Sequence, residues 1–331
     1  MKRSTTFSMS SWRRFLVAGA CAAVSIASNA QGFPTKPIQI VVGFPAGNTL
    51  DTVIRLAAEH LRSKLGQPVI VVNKPGANGV LAATEVARAP ADGYVLLATN
   101  SSGMTVNPQI YKKLSYQLSD FTPVTMLTSA PLILVVNPAH QRTASVKTLA
   151  DLVSAARTRP GELLYGSGGP GNITSLGFEM LGTQAGFKAT HVPYKGTGAA
   201  QFGLLGKEVD AMLDTPLSVP QVKAGKLSAL AVTGARRWRD LPDVPTIQES
   251  GYKGFDITFW LALMAPAQTP PGVIDAIHAA LSSIRDSPNL VRQLQVHGDV
   301  ELMGPLEFGA RIRAESVAWG EVIRRENIQL D

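Results

Sequence analysis

The chain has 331 residues, and its 31 Lys and Arg against 24 Asp and Glu give a formal net charge of +7 at neutral pH. Four of the basic residues and none of the acidic ones lie within the first 30 positions, so the rest of the chain carries only +3. The one cysteine, Cys21, excludes an internal disulfide, and the small charge with a single basic cluster at 236–239 predicts no nucleic-acid binding.

The N-terminus has the pattern of an export signal. Basic residues up to Arg14 precede an apolar run at 15–26, which is too short to span a bilayer, and Ser28-Asn29-Ala30 fits a small-residue cleavage site. We therefore predict a cleaved signal peptide over 1–30 and a periplasmic mature protein. Arg13-Arg14 leaves twin-arginine rather than Sec export open, Cys21 leaves lipidation open, and an uncleaved anchor is the remaining alternative.

Apolar strand-like runs alternate with helical patterns along the rest of the chain. The predicted strands cover 38–42, 69–72, 95–98, 124–127, 132–136, 163–165, 190–193, 211–213, 230–232 and 259–264. The predicted helices cover 51–65, 79–88, 146–157, 174–184, 198–206, 271–285 and 305–325. Short apolar strands alternating with helices predict an α/β fold whose parallel sheets are covered on both faces.

Two pairs of adjacent strand-like segments predict a split domain. One pair lies within 123–136, on either side of Ser129-Ala130-Pro131, and the other lies within 251–266. If the chain crosses between domains at these points, residues 32–130 plus 254–331 form one lobe and residues 131–253 form the other. Two crossovers of this kind are typical of a protein that closes about a hinge onto a ligand in the cleft between its lobes.

The first predicted strand runs into a Pro/Gly loop, Phe44-Pro45-Ala46-Gly47-Asn48-Thr49, and then into a helix. Free backbone N–H groups and the positive end of a helix dipole at such a junction attract anions without a charged side chain. Asn48 and Asp51 have the spacing of an N-cap and its partner three residues later, so ordinary capping accounts for part of the pattern.

A second Gly-rich loop, Gly166-Ser167-Gly168-Gly169-Pro170-Gly171, has the G-x-G-x-x-G spacing of a dinucleotide site. The strand that follows it ends in Tyr194-Lys195-Gly196, without the acidic residue that such a site uses for the ribose. We therefore predict no nucleotide and no other cofactor. Two anion-attracting loops facing each other predict instead a clamp for a small carboxylate.

Other polar residues follow predicted strands, where ligands of open α/β sheets bind. Asn100 and Ser101 are either ligand contacts or an ordinary polar loop. Asp214 is either an acceptor for a ligand N–H or O–H, or a cap for a helix near Pro216. The five histidines lack metal-ligand spacing, and no G-x-S-x-G or His-Glu-x-x-His motif occurs, so we predict no metal site and no enzyme.

Six motifs occur in the order found in one family of transport proteins. They are Phe44-Pro45-Ala46-Gly47-x-x-x-Asp51, Val72-Asn73-Lys74-Pro75-Gly76-Ala77, Ala91-Asp92-Gly93-Tyr94, Tyr165-Gly166-Ser167, His191-Val192-Pro193-Tyr194-Lys195-Gly196, and Ala265-Pro266 before Thr269-Pro270. The chain thus resembles the extracytoplasmic solute receptors of tripartite tricarboxylate transporters, the Bug or TctC-like receptors. The resemblance covers nearly all of the chain after the signal peptide.

This resemblance implies a two-lobed periplasmic-binding-protein type II fold, a Venus flytrap, with a mostly parallel sheet flanked by helices in each lobe. It also implies a monomeric receptor that hands a small carboxylated solute to membrane permease subunits. The ligand-binding residues it implies, with the two strand-end candidates, are Phe44, Pro45, Ala46, Gly47, Asn48, Thr49, Asn100, Ser101, Ser167, Gly168, Gly169, Asn172, Thr174, Ser175, Lys195, Gly196, Thr197 and Asp214.

The sequence departs from the family pattern within both loops. Asn48 stands where the family usually has glycine, Ala46 where it often has proline, and Asn172-Ile173 where it usually has a Ser–Thr pair. These changes leave the identity of the solute open. The alternatives are a receptor for an aromatic or uncharged solute, a partner that presents its ligand to a sensor protein, and, least favoured for want of a base–nucleophile pair, a periplasmic enzyme.

Overall fold

The computed structural model describes residues 32–325 and 328–330, so the predicted signal peptide lies outside the described residues. The strands are β1 Ile38–Val42, β2 Val69–Asn73, β3 Val95–Asn100, β4 Phe121–Pro131, β5 Ile133–Val136, β6 Leu164–Ser167, β7 Thr190–Pro193, β8 Ala211–Asp214, β9 Ser228–Val232, β10 Thr258–Pro266 and β11 Asp299–Met303.

Helices cover both sheets. The α-helices are α1 Thr49–Leu65, α2 Val80–Ala87, α3 Asn107–Ile110, α4 Leu149–Thr158, α5 Ile173–Ala185, α6 Thr197–Leu205, α7 Val219–Lys223, α8 Pro271–Ser282, α9 Pro288–Gln295 and α10 Pro305–Arg325. A π-helical turn spans Ser102–Val106, and short 3₁₀ turns span Ala77–Gly79, Leu118–Asp120, Pro216–Ser218 and Ser283–Asp286.

The strands form two sheets, with the order β11-β4-β10-β3-β1-β2 in the first and β7-β6-β8-β5-β9 in the second. The α/β fold predicted from the sequence is confirmed, but the sheets are mixed rather than mostly parallel. β10 runs antiparallel to both β3 and β4, and β5 runs antiparallel to β8 and β9. The parallel pairs, β1 with β2 and β3 and β6 with β7 and β8, are joined through helices, which provide the long crossover that parallel neighbours need. β5 and β10 are instead the strands with which the chain enters the second sheet and returns to the first.

The chain leaves the first sheet after β4 and returns to it with β10. All strands from β5 to β9 belong to the second sheet, and all the others belong to the first. The long strands β4 and β10 pair along most of their length, from Thr258 opposite Pro131 to Pro266 opposite Phe121. This pair stands beside β3, so the carboxyl ends of β1 and β3 lie at the edge where the chain crosses between the sheets.

Local sequence explains where the helix nearest that edge begins and ends. Asn48 caps the start of α1, and Gly66 closes it in the left-handed conformation that glycine favours. Between them, Val53, Ala57 and Leu61 recur at helical spacing and are fully buried against the first sheet. The buried stripe fixes α1 in place, so its N-terminus stays at the carboxyl end of β1.

The elements that the predicted bounds leave out include the helical stretch from Ser102 to Ile110, α7, α9, and β11. The last of these is short and irregular, since its pairing with β4 shifts register between Val300 and Met303. Within the described residues, no helix is both long enough and apolar enough to span a membrane.

Candidate functional site

The loop after β1 is built as the capping pattern predicted. The Asn48 Oδ1 accepts a hydrogen bond from the Asp51 amide at 3.1 Å, and the Asp51 carboxylate accepts one from the Gly47 amide at 2.9 Å. Gly47 has φ of +82°, in the left-handed region, and nothing lies within 4 Å of where its Cβ would be. Ala46 and Gly47 are exposed and Pro45 is half-buried, whereas Phe44 is buried against Gly79.

The Asp51 carboxylate holds this loop in place through several hydrogen bonds. Its carboxylate also accepts hydrogen bonds from Arg55 Nε at 2.9 Å and from Asn73 Nδ2 at 2.8 Å. Burial alone would raise the pKa of Asp51, but the hydrogen bonds from Arg55, Gly47 and Asn73 outweigh it and lower the pKa below its usual value. The carboxylate is therefore ionised and paired, and the amides of Thr49 and Leu50 at the start of α1 are left without an intrahelical partner.

The second Gly-rich loop uses its amides internally. The Gly168 amide donates to Thr174 Oγ1 at 3.0 Å, and the Gly169 amide donates to Ser167 Oγ at 3.1 Å. Ser167 is fully buried, and its hydroxyl lies 2.6 Å from His191 Nε2. A ligand would have to displace these hydrogen bonds to reach the two amides.

The start of α5 is likewise satisfied by side chains. Asn172 Oδ1 accepts hydrogen bonds from the amide and the hydroxyl of Thr174, at 3.1 and 2.9 Å. The Ser175 hydroxyl donates to the Asn172 carbonyl at 2.8 Å, and the Ile173 amide donates to Ser102 Oγ at 2.9 Å. Asn172, Thr174 and Ser175 are all buried. These three predicted site residues thus cap α5 and hold it against the first sheet.

The helix that opens toward the first loop is α6. Gly196 precedes it with φ of +104° and makes no side-chain cap, so the N–H groups of Thr197 and Gly198 have no intrahelical partner. A Cβ on Gly196 would lie 3.8 Å from Asn48 Nδ2. The N-termini of α1 and α6 therefore meet across the two sheets at Asn48 and Gly196, while the neighbouring Lys195 is exposed.

Asp214 lies at the carboxyl end of β8 and is fully buried. Its carboxylate accepts hydrogen bonds from Gln201 Nε2 at 2.7 Å and from the Thr215 amide at 2.8 Å. Burial raises the pKa of Asp214 to about 7, although these hydrogen bonds oppose the shift. The turn at Pro216–Ser218 has no side-chain cap, so Asp214 does not cap that helix as one alternative predicted.

Thr215 connects Asp214 to the first loop. Its Oγ1 lies 3.2 Å from Thr49 Oγ1, and both hydroxyls are buried. Thr49 belongs to the first turn of α1, so this hydrogen bond joins the two sheets next to Asn48 and Gly196. Only Thr215 therefore lies between Asp214 and the place where the two helix N-termini meet.

Asn100 and Ser101 lie at the end of β3 beside the same edge. Asn100 Oδ1 accepts a hydrogen bond from the Gly103 amide at 3.1 Å, which is an ordinary loop contact. Ser101 is fully buried, and its hydroxyl has no hydrogen-bond partner within residues 32–325 and 328–330. The π-helical turn starts at the next residue, and such turns are frequent at functional sites.

Sequence reasoning missed Asn78, which bridges the two sheets. Its Nδ2 donates to the Gly171 carbonyl at 3.1 Å and to Asn107 Oδ1 at 2.9 Å, and its Oδ1 accepts from Asn172 Nδ2 at 3.0 Å. Asn78 has φ of +51°, a conformation that asparagine tolerates better than most residues. The available signal was the Asn78-Gly79 dipeptide, which by itself indicates only a turn.

The histidines show structural contacts. His191 stacks on the Tyr165 ring with centroids 4.8 Å apart, and burial lowers its pKa. In the described part of the chain, no group of three or more His, Cys, Asp or Glu side chains is placed to hold a metal ion.

The family model for the tripartite tricarboxylate transporter family receptor, TctC, matches residues 53–328. The chain belongs to this family. Protein BugT of Bordetella pertussis is 33% identical to this TctC receptor over 318 residues, which cover 94% of this chain and 95% of BugT. The family expected from the six motifs is thus confirmed.

Two solved structures are also similar to this receptor. Rpa4515 of R. palustris with adipate has a TM-score of 0.84 at 32% identity, covering 90% of this chain and 99% of Rpa4515. MatC of Rhodopseudomonas palustris with bound malate has a TM-score of 0.82 at 31% identity, covering 88% of this chain and 100% of MatC. The fold is that of periplasmic binding proteins, and the family consists of solute-binding proteins rather than enzymes.

Proposed function

We propose that this TctC receptor binds a small carboxylate-bearing solute between two lobes, residues 32–130 plus 254–331 and residues 131–253. The observation that carries this proposal is the meeting of two helix N-termini, those of α1 and α6, at Asn48 and Gly196. Unpaired N–H groups and two helix dipoles directed at one point stabilise a negative charge there. The ligands of the two similar structures, adipate and malate, are both dicarboxylates and support this class of solute.

In this proposal the polar contacts between the sheets hold the closed form. Four hydrogen bonds cross between them beside the site: Thr49 to Thr215, Asn172 to Asn78, Asn78 to the Gly171 carbonyl, and Ile173 to Ser102. Solute entry and release then require these contacts to separate by motion about the β4–β10 crossover. The exported receptor, acting as a monomer, would deliver its solute to the permease subunits of a tripartite tricarboxylate-type transporter.

Calorimetric titration of the purified mature protein tests the class of solute. We expect malate or adipate to bind, and we expect their diamides, which keep the shape but lose the charge, to bind at least tenfold more weakly because the helix ends favour an anion. Aromatic acids and uncharged solutes belong in the same panel. Binding of uncharged solutes alone, or of no carboxylate at all, would contradict the proposal.

The variant Asn48→Asp tests the position of the site. An aspartate still caps α1, but its negative charge lies beside the meeting helix ends, so we expect carboxylate affinity to fall at least tenfold with little change in thermal stability. The matched control is Thr148→Asp, since Thr148 caps α4 with Asp151 in the same arrangement as Asn48 with Asp51. Equal affinity in the two variants would place the solute elsewhere.

A further inference from the structure

Asp214 is a buried acid without a cation. It is fully buried, and the groups that donate to it, the Gln201 amide and the Thr215 N–H, are neutral. No basic side chain forms an ion pair with it in the described residues, 32–325 and 328–330. An ionised carboxylate in this position is unfavourable, and an additional anion nearby would make it more so.

The elements packed around β8 supply no compensating charge. β5 and α6 contain no charged residue, and β6 contributes only the titratable Tyr165. The neighbouring charged or titratable groups are Glu179 on α5, which accepts from the Tyr165 hydroxyl, and Lys223 at the end of α7. Asp210, directly before β8, is paired with Arg142, and Asp51 in the first-sheet part is paired with Arg55.

Thr215 connects this acid to the proposed solute site. Its backbone N–H donates to the Asp214 carboxylate at 2.8 Å, and its hydroxyl lies 3.2 Å from Thr49 Oγ1. Both hydroxyls are buried, so little water screens the charge of Asp214 from an anion bound beside Thr49. The two negative charges therefore disfavour each other, and a proton on Asp214 removes that repulsion.

We propose that binding of a carboxylate at Asn48, Thr49 and Gly196 is coupled to the uptake of one proton from solvent by Asp214, the acid that Thr215 joins to Thr49. This inference rests on the proposed function, and it adds that the site takes up a proton together with the carboxylate. The only bond formed is the O–H bond on Asp214, and the solute remains ionised. The charge of the solute is thereby offset by a proton, so no basic side chain is required.

The pKa of Asp214 places this exchange near neutral pH. Burial raises the pKa to about 7 before any solute binds, and a second negative charge raises it further. Above pH 7 the complex then holds one more proton than the free receptor. By linkage, carboxylate affinity falls up to about tenfold per pH unit above 7, and it is constant below about pH 6, where Asp214 is already protonated.

Calorimetric titration with malate, in pairs of buffers of different ionisation enthalpy, measures the protons exchanged. We expect uptake close to one proton per malate at about pH 8 and close to none at about pH 6, where both carboxyls of malate are still mostly ionised. Asp214→Asn should bind malate without proton uptake and with affinity that does not change with pH. The matched control is Glu179→Gln, since Glu179 is a second acid whose pKa is raised by burial.

Each outcome decides the inference. Uptake in the native protein and in Glu179→Gln, and its absence in Asp214→Asn, would support it. Malate binding by the native protein with no proton uptake at any pH would overturn the inference and leave the proposed function intact. Uptake that persists in Asp214→Asn would assign the proton to another group. No carboxylate binding at any pH would overturn both.

Discussion

At the scale of single residues, the site depends on backbone conformation as much as on side chains. Gly47 and Gly196 both have φ in the left-handed region, and both stand immediately before a helix N-cap or serve as one. A side chain at either position is strained even where space is available. Asn48, which departs from the family pattern, both caps α1 and places its amide beside Gly196.

Gly47→Ala should lower stability and weaken carboxylate binding. The strain of placing alanine at φ of +82° is about 1 kcal/mol, and relief of that strain would move the loop amides. Gly66→Ala is the control, because Gly66 has φ of +68° with nothing within 4 Å of its Cβ position, at the far end of the same helix. Urea denaturation should show similar losses for both, and malate titration should show a loss for Gly47→Ala only.

Asp214 should make the protein less stable as the pH rises. Its pKa is about 7 in the folded protein against an ordinary 3.8, so its contribution is fully present below about pH 3.8, and is lost progressively as the pH rises through 7. The expected loss is on the order of 4 kcal/mol over the whole range, of which about 3 kcal/mol falls above pH 5. Urea denaturation from about pH 5 to pH 8.5 measures it as the difference between the native protein and Asp214→Asn.

The comparison with Asp214→Asn is needed because the buried histidines change the stability of the protein with pH in the opposite direction. Burial lowers the pKa of His60, His191, His278 and His297, so their contribution is present above their ordinary pKa of 6.5 and is lost as the pH falls below it. Parallel pH profiles for the native protein and Asp214→Asn would contradict the shifted pKa.

At the scale of elements, three helices begin near one edge, and they begin differently. α1 and α5 start with asparagine caps whose side chains each accept one of the first amides, whereas α6 starts at a glycine without a cap. The first amides of α5 are all used, because Ser102 and the Asn172 carbonyl accept the others, so the amides left for an anion are those of α1 and α6. In the proposed site, the G-x-G-x-x-G loop therefore contributes no free amides, and the less conspicuous Gly196 contributes the open helix end.

Two substitutions at Asn172 should distinguish its role as the cap of α5 from its hydrogen bond to Asn78. Asn172→Ser keeps a good cap for α5 but loses the amide that donates to Asn78, whereas Asn172→Ala loses both. We expect Asn172→Ala to be about 1 kcal/mol less stable than Asn172→Ser in urea denaturation. Equal stability of the two variants would mean that the bond from Asn172 Oδ1 to the Thr174 amide contributes little.

At the scale of the whole molecule, two groups of contacts tie the parts on either side of the crossover. One group lies beside the proposed site, around Asn78 and Thr215. The other involves Arg239, whose guanidinium stacks on Trp238, pairs with Asp299 and donates to the Gln295 carbonyl at 2.6 Å. The β4–β10 pair runs between these groups, so closure on one side must be accommodated on the other.

Asn78→Ala should favour an open form. The variant loses its hydrogen bonds to Gly171 and Asn172, so we expect a larger radius of gyration in small-angle X-ray scattering without solute, and weaker malate affinity because closure becomes less favourable. Asn137→Ala is the control, since Asn137 donates to Leu204 and Leu205 within the second-sheet part. An unchanged radius and affinity in Asn78→Ala would show that the bridge does not hold the closed form.

Features that depend on neighbours along the chain were predictable from the sequence. It predicted β1, β7 and α10 at their observed bounds, the capping of α1 by Asn48 with Asp51, and the family, because periodicity, caps and motifs are local. The tertiary structure alone decided the antiparallel β10, the bridge through Asn78, and the meeting of Asn48 with Gly196 rather than with free amides of the second loop. These pairings join residues as far apart as Leu97 and Met264, and they are set by how the chain crosses between two sheets, which local patterns do not encode.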